Sequence, residues 1–231
     1  MTTHLLLNET SLANTVWNLE EARWSNRSTD DPAVGAALSW VAGRIGMPGA
    51  YQGVLALPTE SDISEHLGAP TGDTTGLGTG GVLHVLGEEA VHALLLWDHQ
   101  AGWDSERTLG IIENRFRWKA VNDGAERLGH FCCLRCSVAR WRALALGKPK
   151  GWEDSIADGL KMLAGQKVKE NGRWERYPFY YTLLTLSEIP MDEVHTERAR
   201  VAVAADRALS RLNREDQVTR FRRRALEWAV S

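Results

Sequence analysis

Apolar residues recur at helical spacing along most of this chain, and that periodicity constrains the fold more than any other feature. Two C-terminal stripes show it most clearly, with apolar residues three, four or seven positions apart at Val194, Val201, Ala205, Leu209 and Leu212, and then at Val218, Phe221, Ala225 and Trp228. No segment alternates apolar and polar residues as a half-buried strand would. The sequence therefore predicts an all-α protein, with helices over 9–25, 32–45, 82–99, 105–118, 122–146 and 153–166 ahead of the C-terminal pair.

Glycine and proline are concentrated between residues 46 and 81, which predicts an irregular segment with one short helix near 51–57. Inside it, Gly76, Gly78 and Gly81 match the spacing of a dinucleotide-binding fingerprint. That fingerprint requires a preceding strand, which residues 61–75 do not resemble, so a connector or a cavity lid is favoured. With 231 residues and a hydrophobic content of 43%, the chain is predicted to form a single domain over 1–231.

The charge and the cysteine content argue against several classes of protein. The formal net charge is −3, whereas nucleic acids and anionic membranes select a basic surface. No window reaches the roughly 20 apolar residues of a membrane helix, and the first residues lack the basic start of a signal peptide. The three cysteines are an odd number crowded into one run, unlike a secreted disulfide framework. We therefore expect a cytoplasmic protein with no membrane span and no nucleic-acid partner.

The run from Gly172 to Ile189 combines a Gly-x-Trp turn, a Tyr177-Pro178 step and an aromatic helix start at Phe179. Upstream, a predicted helix is followed by Gln100 and Trp103. Downstream, another predicted helix is followed by Gln166 and Trp174 in the same order, which suggests an internal helical repeat. This arrangement resembles one repeat unit of the prenyltransferase and squalene-cyclase group, whose helical hairpins close into an α/α toroid. The resemblance implies helical hairpins around a cavity. Because the chain is short for a closed ring, the resemblance implies an α/α-toroid-like arc or an incomplete ring.

The catalytic motifs of that group are not matched here. Tyr181 occupies the position of the histidine that ligates zinc in the prenyltransferases, and tyrosine is a poor zinc ligand. No Asp-x-Cys pair occurs, and the acid motif of the cyclases is matched only by residues 28–31, which begin with Ser28. The sequence therefore predicts neither a metal nor a cofactor.

Two clusters could still hold a metal. His84, Glu88 and His92 are spaced by four on one helical face, but a di-iron bundle needs a second Glu-x-x-His, so a hydrogen-bonded helix surface is favoured. Cys132, Cys133 and Cys136 fall in one predicted helix with His130, and the spacing along one helix scarcely allows these four side chains to converge on a zinc ion. Core packing is favoured for these cysteines, with a metal site or a reactive thiol as the alternatives. The C-terminal arginines at 220 and 222–224 are interpreted as a solvated helix face.

The favoured function is binding of an extended apolar small molecule, such as an isoprenoid, or of a peptide, in a cavity lined by Trp and Tyr. The predicted ligand-binding residues are Trp103, Trp141, Trp174, Tyr177, Tyr180 and Tyr181. One alternative is an enzyme of the prenyltransferase, terpene-cyclase or carbohydrate-active type, in which Glu175, Asp104 and the His84/His92 pair perform acid–base chemistry. The other is a helical-repeat scaffold for protein partners. A homodimer could cover the open end of the arc.

Overall fold

The computed structural model describes residues 6–48, 50, 57–74, 76–97, 110 and 129–231, and the fold of this part is all-α, which confirms the predicted class. The helices are α1 (Leu12–Trp24), α2 (Pro32–Ala42), α3 (Glu60–Ser64), α4 (Thr79–Trp97), α5 (Leu134–Gly147), α6 (Trp152–Ala164), α7 (Phe179–Leu186), α8 (Glu193–Leu209) and α9 (Gln217–Val230). Outside these helices, the described residues pair in β fashion only at an isolated antiparallel bridge between Val168 and Trp174. None of the helices described is long and apolar enough to cross a membrane.

The chain divides into two compact units. The first comprises residues 1–68 and 76–123, and the second comprises residues 69–75 and 124–231. The single domain over 1–231 and the toroid-like arc both stay predictions. The predicted helices over 51–57 and 105–118 fall almost entirely on residues outside the described part.

In the first unit, α1 packs against α2 and α4, and α2 also packs against α4. The starts of α1 and α2 follow from their capping residues. At the start of α1, the Ser11 side chain accepts a hydrogen bond from the backbone N–H of Asn14. At the start of α2, Asp31 precedes Pro32, and its side chain accepts a hydrogen bond from the N–H of Ala33. The predicted helices over 9–25 and 32–45 are confirmed, with ends a few residues shorter.

The second unit is built around α7, which contacts α5, α8 and α9. Its side chains are buried on almost every side, and those of Tyr181, Leu183 and Leu184 are fully buried. The prediction of one continuous helix over 122–146 is wrong, because residues 129–133 are not helical and α5 begins only at Leu134. Residues 122–128 of that prediction lie outside the described residues. Cys132 adopts a left-handed backbone conformation with φ of 52°, which no helix continues through.

Candidate functional site

The aromatic helix α7 has its N-terminus capped by a residue far away in sequence. Pro178 is the N-cap, and its side chain can accept no hydrogen bond, so the first N–H groups of α7 need another acceptor. Asp73 supplies it, because one carboxylate oxygen lies 2.7 Å from the N–H of Tyr180 and 3.4 Å from that of Tyr181. The Thr71 hydroxyl donates to the other oxygen at 2.6 Å. Residues 71–73 are therefore held against the start of α7.

Burial is also the dominant influence on Asp73. It raises the pKa of this carboxyl, while the hydrogen bonds from Thr71, Tyr180 and Tyr181 and the charge of Arg222 act in the opposite direction. The Asp73 carboxylate therefore caps the N-terminus of α7. Its hydrogen bonds also hold the backbone of residues 71–73 beside Tyr180, which lines the cavity described next.

A cavity of about 820 Å³ lies beside this terminus, between the end of α8, the start of α9 and residues 171–180. It is lined by five arginines, at positions 173, 207, 211, 214 and 222, and by a single acid, Asp216. That acid already caps α9 by accepting from the N–H of Thr219 at 2.8 Å. Within the described part of the chain, none of the five arginines forms a salt bridge. We call this cavity the arginine cleft, and its walls carry a strong excess of positive charge.

Tyr180 holds two of these arginines in place. The guanidinium of Arg173 lies 5.1 Å from the centre of the Tyr180 ring and donates to its hydroxyl at 3.1 Å. The guanidinium of Arg222 lies 4.7 Å from the same ring, and its Nε donates to the carbonyl of Thr71 at 2.7 Å. Both contacts are of the cation–π type, which orients a guanidinium without neutralising it. The two positive charges are therefore positioned by uncharged partners.

A smaller cavity of about 290 Å³ adjoins the arginine cleft and shares Asn171, Arg173 and Tyr180 with it. Its cationic lining continues with Arg135, Lys169 and Arg176, against the acids Asp73 and Glu175. Its apolar wall consists of Trp174, Tyr177 and Phe179.

Within that wall, Tyr177 is 5% exposed, and its hydroxyl has no hydrogen-bond partner among the described residues. Burial raises the pKa of Tyr177 to about 12, so at neutral pH the hydroxyl keeps its proton and remains a neutral donor.

The predicted ligand-binding residues fall into three groups. Tyr180 lines both cavities, and Trp174 and Tyr177 line the smaller one, together with Glu175 from the enzyme alternative. Trp141 and Tyr181 are almost completely buried and line neither cavity. Their burial favours a packing role.

Trp141 lies 5.9 Å from the ring of Tyr177 and donates its indole N–H to the carbonyl of Gly129 at 2.8 Å, so it supports the wall from behind. Trp103 and Asp104 lie outside the described residues.

The sequence predicted that the candidate metal residues on α4 lie on a hydrogen-bonded helix surface. In the structure their side chains are buried in the interior. Glu88 and His92 are at most 2% exposed, and His84 is 8% exposed. They lie on a helix that is buried along most of its length.

The five arginines of the cleft were not identified from the sequence. Arg207, Arg211 and Arg214 follow one another at intervals of four and three, which is one helical face, but such spacing is common on solvated helices. Arg222 was expected on a solvated face, yet it is half-buried and bound to Thr71. Comparison of the chain with models of protein families, with curated proteins and with solved structures finds no match in any of the three.

Proposed function

We propose that the protein binds a small molecule bearing phosphate or carboxylate groups, with its charged end in the arginine cleft. The observation that carries this proposal is the placement of five arginines and one acid around a single cavity in a chain whose net charge is −3. A cavity of about 820 Å³ is of the size that holds a small ligand. Arginine suits this role, because its planar fork of N–H donors matches the oxygens of phosphate and carboxylate in pairs.

The ligand expected from the sequence was an extended apolar small molecule or a peptide, and the lining of the two cavities favours a small molecule that also carries an anionic group. The wall formed by Trp174, Tyr177 and Phe179 offers a site for an apolar or aromatic part. The arginine cleft next to it takes the charged part. An isoprenoid with a charged head group combines both features, so the proposal keeps the isoprenoid class and adds the charge.

Isothermal titration calorimetry with three related compounds separates the two contributions. Inorganic pyrophosphate presents the charge alone, geraniol the apolar tail alone, and geranyl diphosphate both. We expect pyrophosphate and geranyl diphosphate to bind, and both affinities to fall as salt concentration rises, because ions screen charges that solvent can reach. Binding of geraniol without binding of pyrophosphate would contradict the proposal and restore the purely apolar ligand.

Two exposed arginines of the cleft provide the matching variants. Arg211→Gln and Arg214→Gln each remove one charge from the lining, and neither side chain packs in the core. We expect each to weaken pyrophosphate binding about tenfold, since a hydrogen bond to a charged group contributes about 1.5 kcal/mol or more. Arg224→Gln is the control, because Arg224 is exposed on α9 outside the cleft. Equal affinities for all three variants would place the bound anion elsewhere.

A further inference from the structure

The start of α5 brings two cysteines together. Cys133 is the N-cap of this helix and Cys136 lies in its first turn, so the two form a Cys-x-x-Cys pair at a helix N-terminus. Their Sγ atoms are 3.3 Å apart, and the Sγ of Cys133 also accepts from the backbone N–H of Cys136 at 3.5 Å. Cys133 is half-buried and Cys136 is buried, so only Cys133 offers its sulfur to a molecule from solution.

We propose that Cys133 and Cys136 form a redox-active dithiol that reduces low-molecular-weight disulfides by thiol–disulfide exchange. Cys133 is the attacking residue, because its sulfur is the accessible one and lies at the positive end of the helix dipole. Cys136 is the resolving residue, because its sulfur lies next to that of Cys133 but is shielded from solvent. The half-buried position of Cys133 favours a small disulfide over a folded protein as substrate.

The exchange proceeds in two displacement steps. The thiolate of Cys133 attacks one sulfur of the substrate disulfide, which forms a mixed disulfide and releases the other half as a thiolate that takes up a proton. Cys136 then loses its proton and attacks Sγ of Cys133, which forms the Cys133–Cys136 disulfide and releases the second half of the substrate as a thiol. The dithiol is oxidised and the substrate disulfide is reduced by the same pair of electrons.

The electrostatics of the pair support this division of roles. The hydrogen bond from Cys136, the N–H groups of the first turn and the charge of Arg135 lower the pKa of Cys133 to about 5, against the effect of burial. The same hydrogen bond and burial raise the pKa of Cys136 far above its ordinary value. Cys133 is therefore a thiolate at neutral pH, and Cys136 keeps its proton until Cys133 has reacted.

The neighbouring Cys132 gives the test a matched control. It is exposed and lies ahead of the N-cap, and its thiol also interacts with Cys136, so Cys132→Ser tests whether Cys132 or Cys133 is the residue that pairs with Cys136. The variants are Cys132→Ser, Cys133→Ser and Cys136→Ser in the full chain. Serine is itself a preferred N-cap, so Cys133→Ser preserves the helix start, which circular dichroism verifies.

Each protein is incubated with glutathione disulfide and its mass is measured. The wild type and Cys132→Ser should lose two hydrogens and carry no glutathione, whereas Cys136→Ser should retain glutathione on Cys133, and Cys133→Ser should form no internal disulfide. Alkylation of Cys133 by iodoacetamide, measured in the Cys132→Ser background, should follow a titration centred near pH 5. An internal disulfide in Cys133→Ser, its loss in Cys132→Ser, or a titration centred near the ordinary value of 9.0 would each overturn the proposal.

Discussion

Asp62 shows how much one buried side chain can organise. It is fully buried, and its carboxylate accepts hydrogen bonds from the Ser11 hydroxyl and from the N–H groups of Leu12 and Ala13, all at the start of α1. It also accepts from the N–H and the hydroxyl of Thr59, which completes the capping box of α3. One carboxylate thus caps two helices separated by about fifty residues along the chain.

We expect Asp62→Ala to lower the free energy of unfolding by about 3–5 kcal/mol, because several donors lose a charged, buried acceptor at once. Urea denaturation followed by circular dichroism measures this change. Asp30→Ala is the control, because Asp30 is exposed and caps no helix, and its cost should be within about 0.5 kcal/mol. A similar cost for the two variants would show that the capping contacts of Asp62 contribute little.

Single residues also show what could be predicted from sequence. The aromatic content of the run around Tyr180 indicated a ligand site there, and Tyr180 does line both cavities. Trp141 and Tyr181 carry the same kind of side chain but lie in the core, because burial depends on which helix face meets a neighbour. Residue type therefore indicated the region of the candidate site but not which of its aromatic rings face a cavity.

At the scale of elements, α5 and α6 approach closely at Gly159. A Cβ on this residue would lie 2.6 Å from the indole nitrogen of Trp141, whose ring is 1% exposed and held by its bond to Gly129. Gly159→Ala should therefore cost about 1–3 kcal/mol of unfolding free energy, since the rigid ring must shift in a packed core. Thermal or urea unfolding gives the value.

Gly165→Ala tests whether that cost comes from contact rather than from loss of glycine itself. Gly165 ends the same helix with φ of −71°, and its added Cβ would meet other atoms only at 3.6 Å. This variant should be neutral within about 0.5 kcal/mol or slightly stabilising. If Gly159→Ala also left the free energy of unfolding unchanged, α5 and α6 would have room to move apart at this contact.

Helix positions could be predicted better than helix ends. Periodicity marked α1, α2, α4 and α6, because it extends over several turns. The ends depend on caps, and some caps come from distant residues, as Asp73 does for α7. The start of α5 was misplaced for a related reason, because a cysteine N-cap interrupts an apolar run without the usual signal. Helix α3 has five residues, too few for any periodicity.

For the whole molecule, the net charge did not predict the charge around the arginine cleft. The net charge of −3 argued against nucleic acids and anionic membranes as partners, and it gave no sign that five arginines meet at one cavity. They come from three separate stretches, around residues 173, 207–214 and 222, which only the packing of α7, α8 and α9 brings together. Such a site depends on tertiary structure, so neither composition nor local spacing could reveal it.

The last prediction concerns how the folding stability of the whole chain depends on pH. The pKa of Cys133 is lowered from 9.0 to about 5 on folding, so between these values the unfolded state binds a proton that the folded state has released. Folding stability from this group is therefore fully present above about pH 9, decreases as the pH falls, and is lost below about pH 5.

Urea unfolding of the reduced protein at a series of pH values measures this contribution. Groups away from Cys133, including Asp73, contribute equally to the wild type and to Cys133→Ser, and Cys136 keeps its proton in both the folded and the unfolded state well below its ordinary value of 9.0. Below that pH, the difference between the two profiles therefore isolates Cys133. We expect that difference to rise in favour of the wild type from pH 5 to pH 9, whereas Cys132→Ser should follow the wild type throughout. A constant difference would mean that Cys133 keeps its ordinary acidity in the folded protein, and the helix terminus would then not stabilise its thiolate.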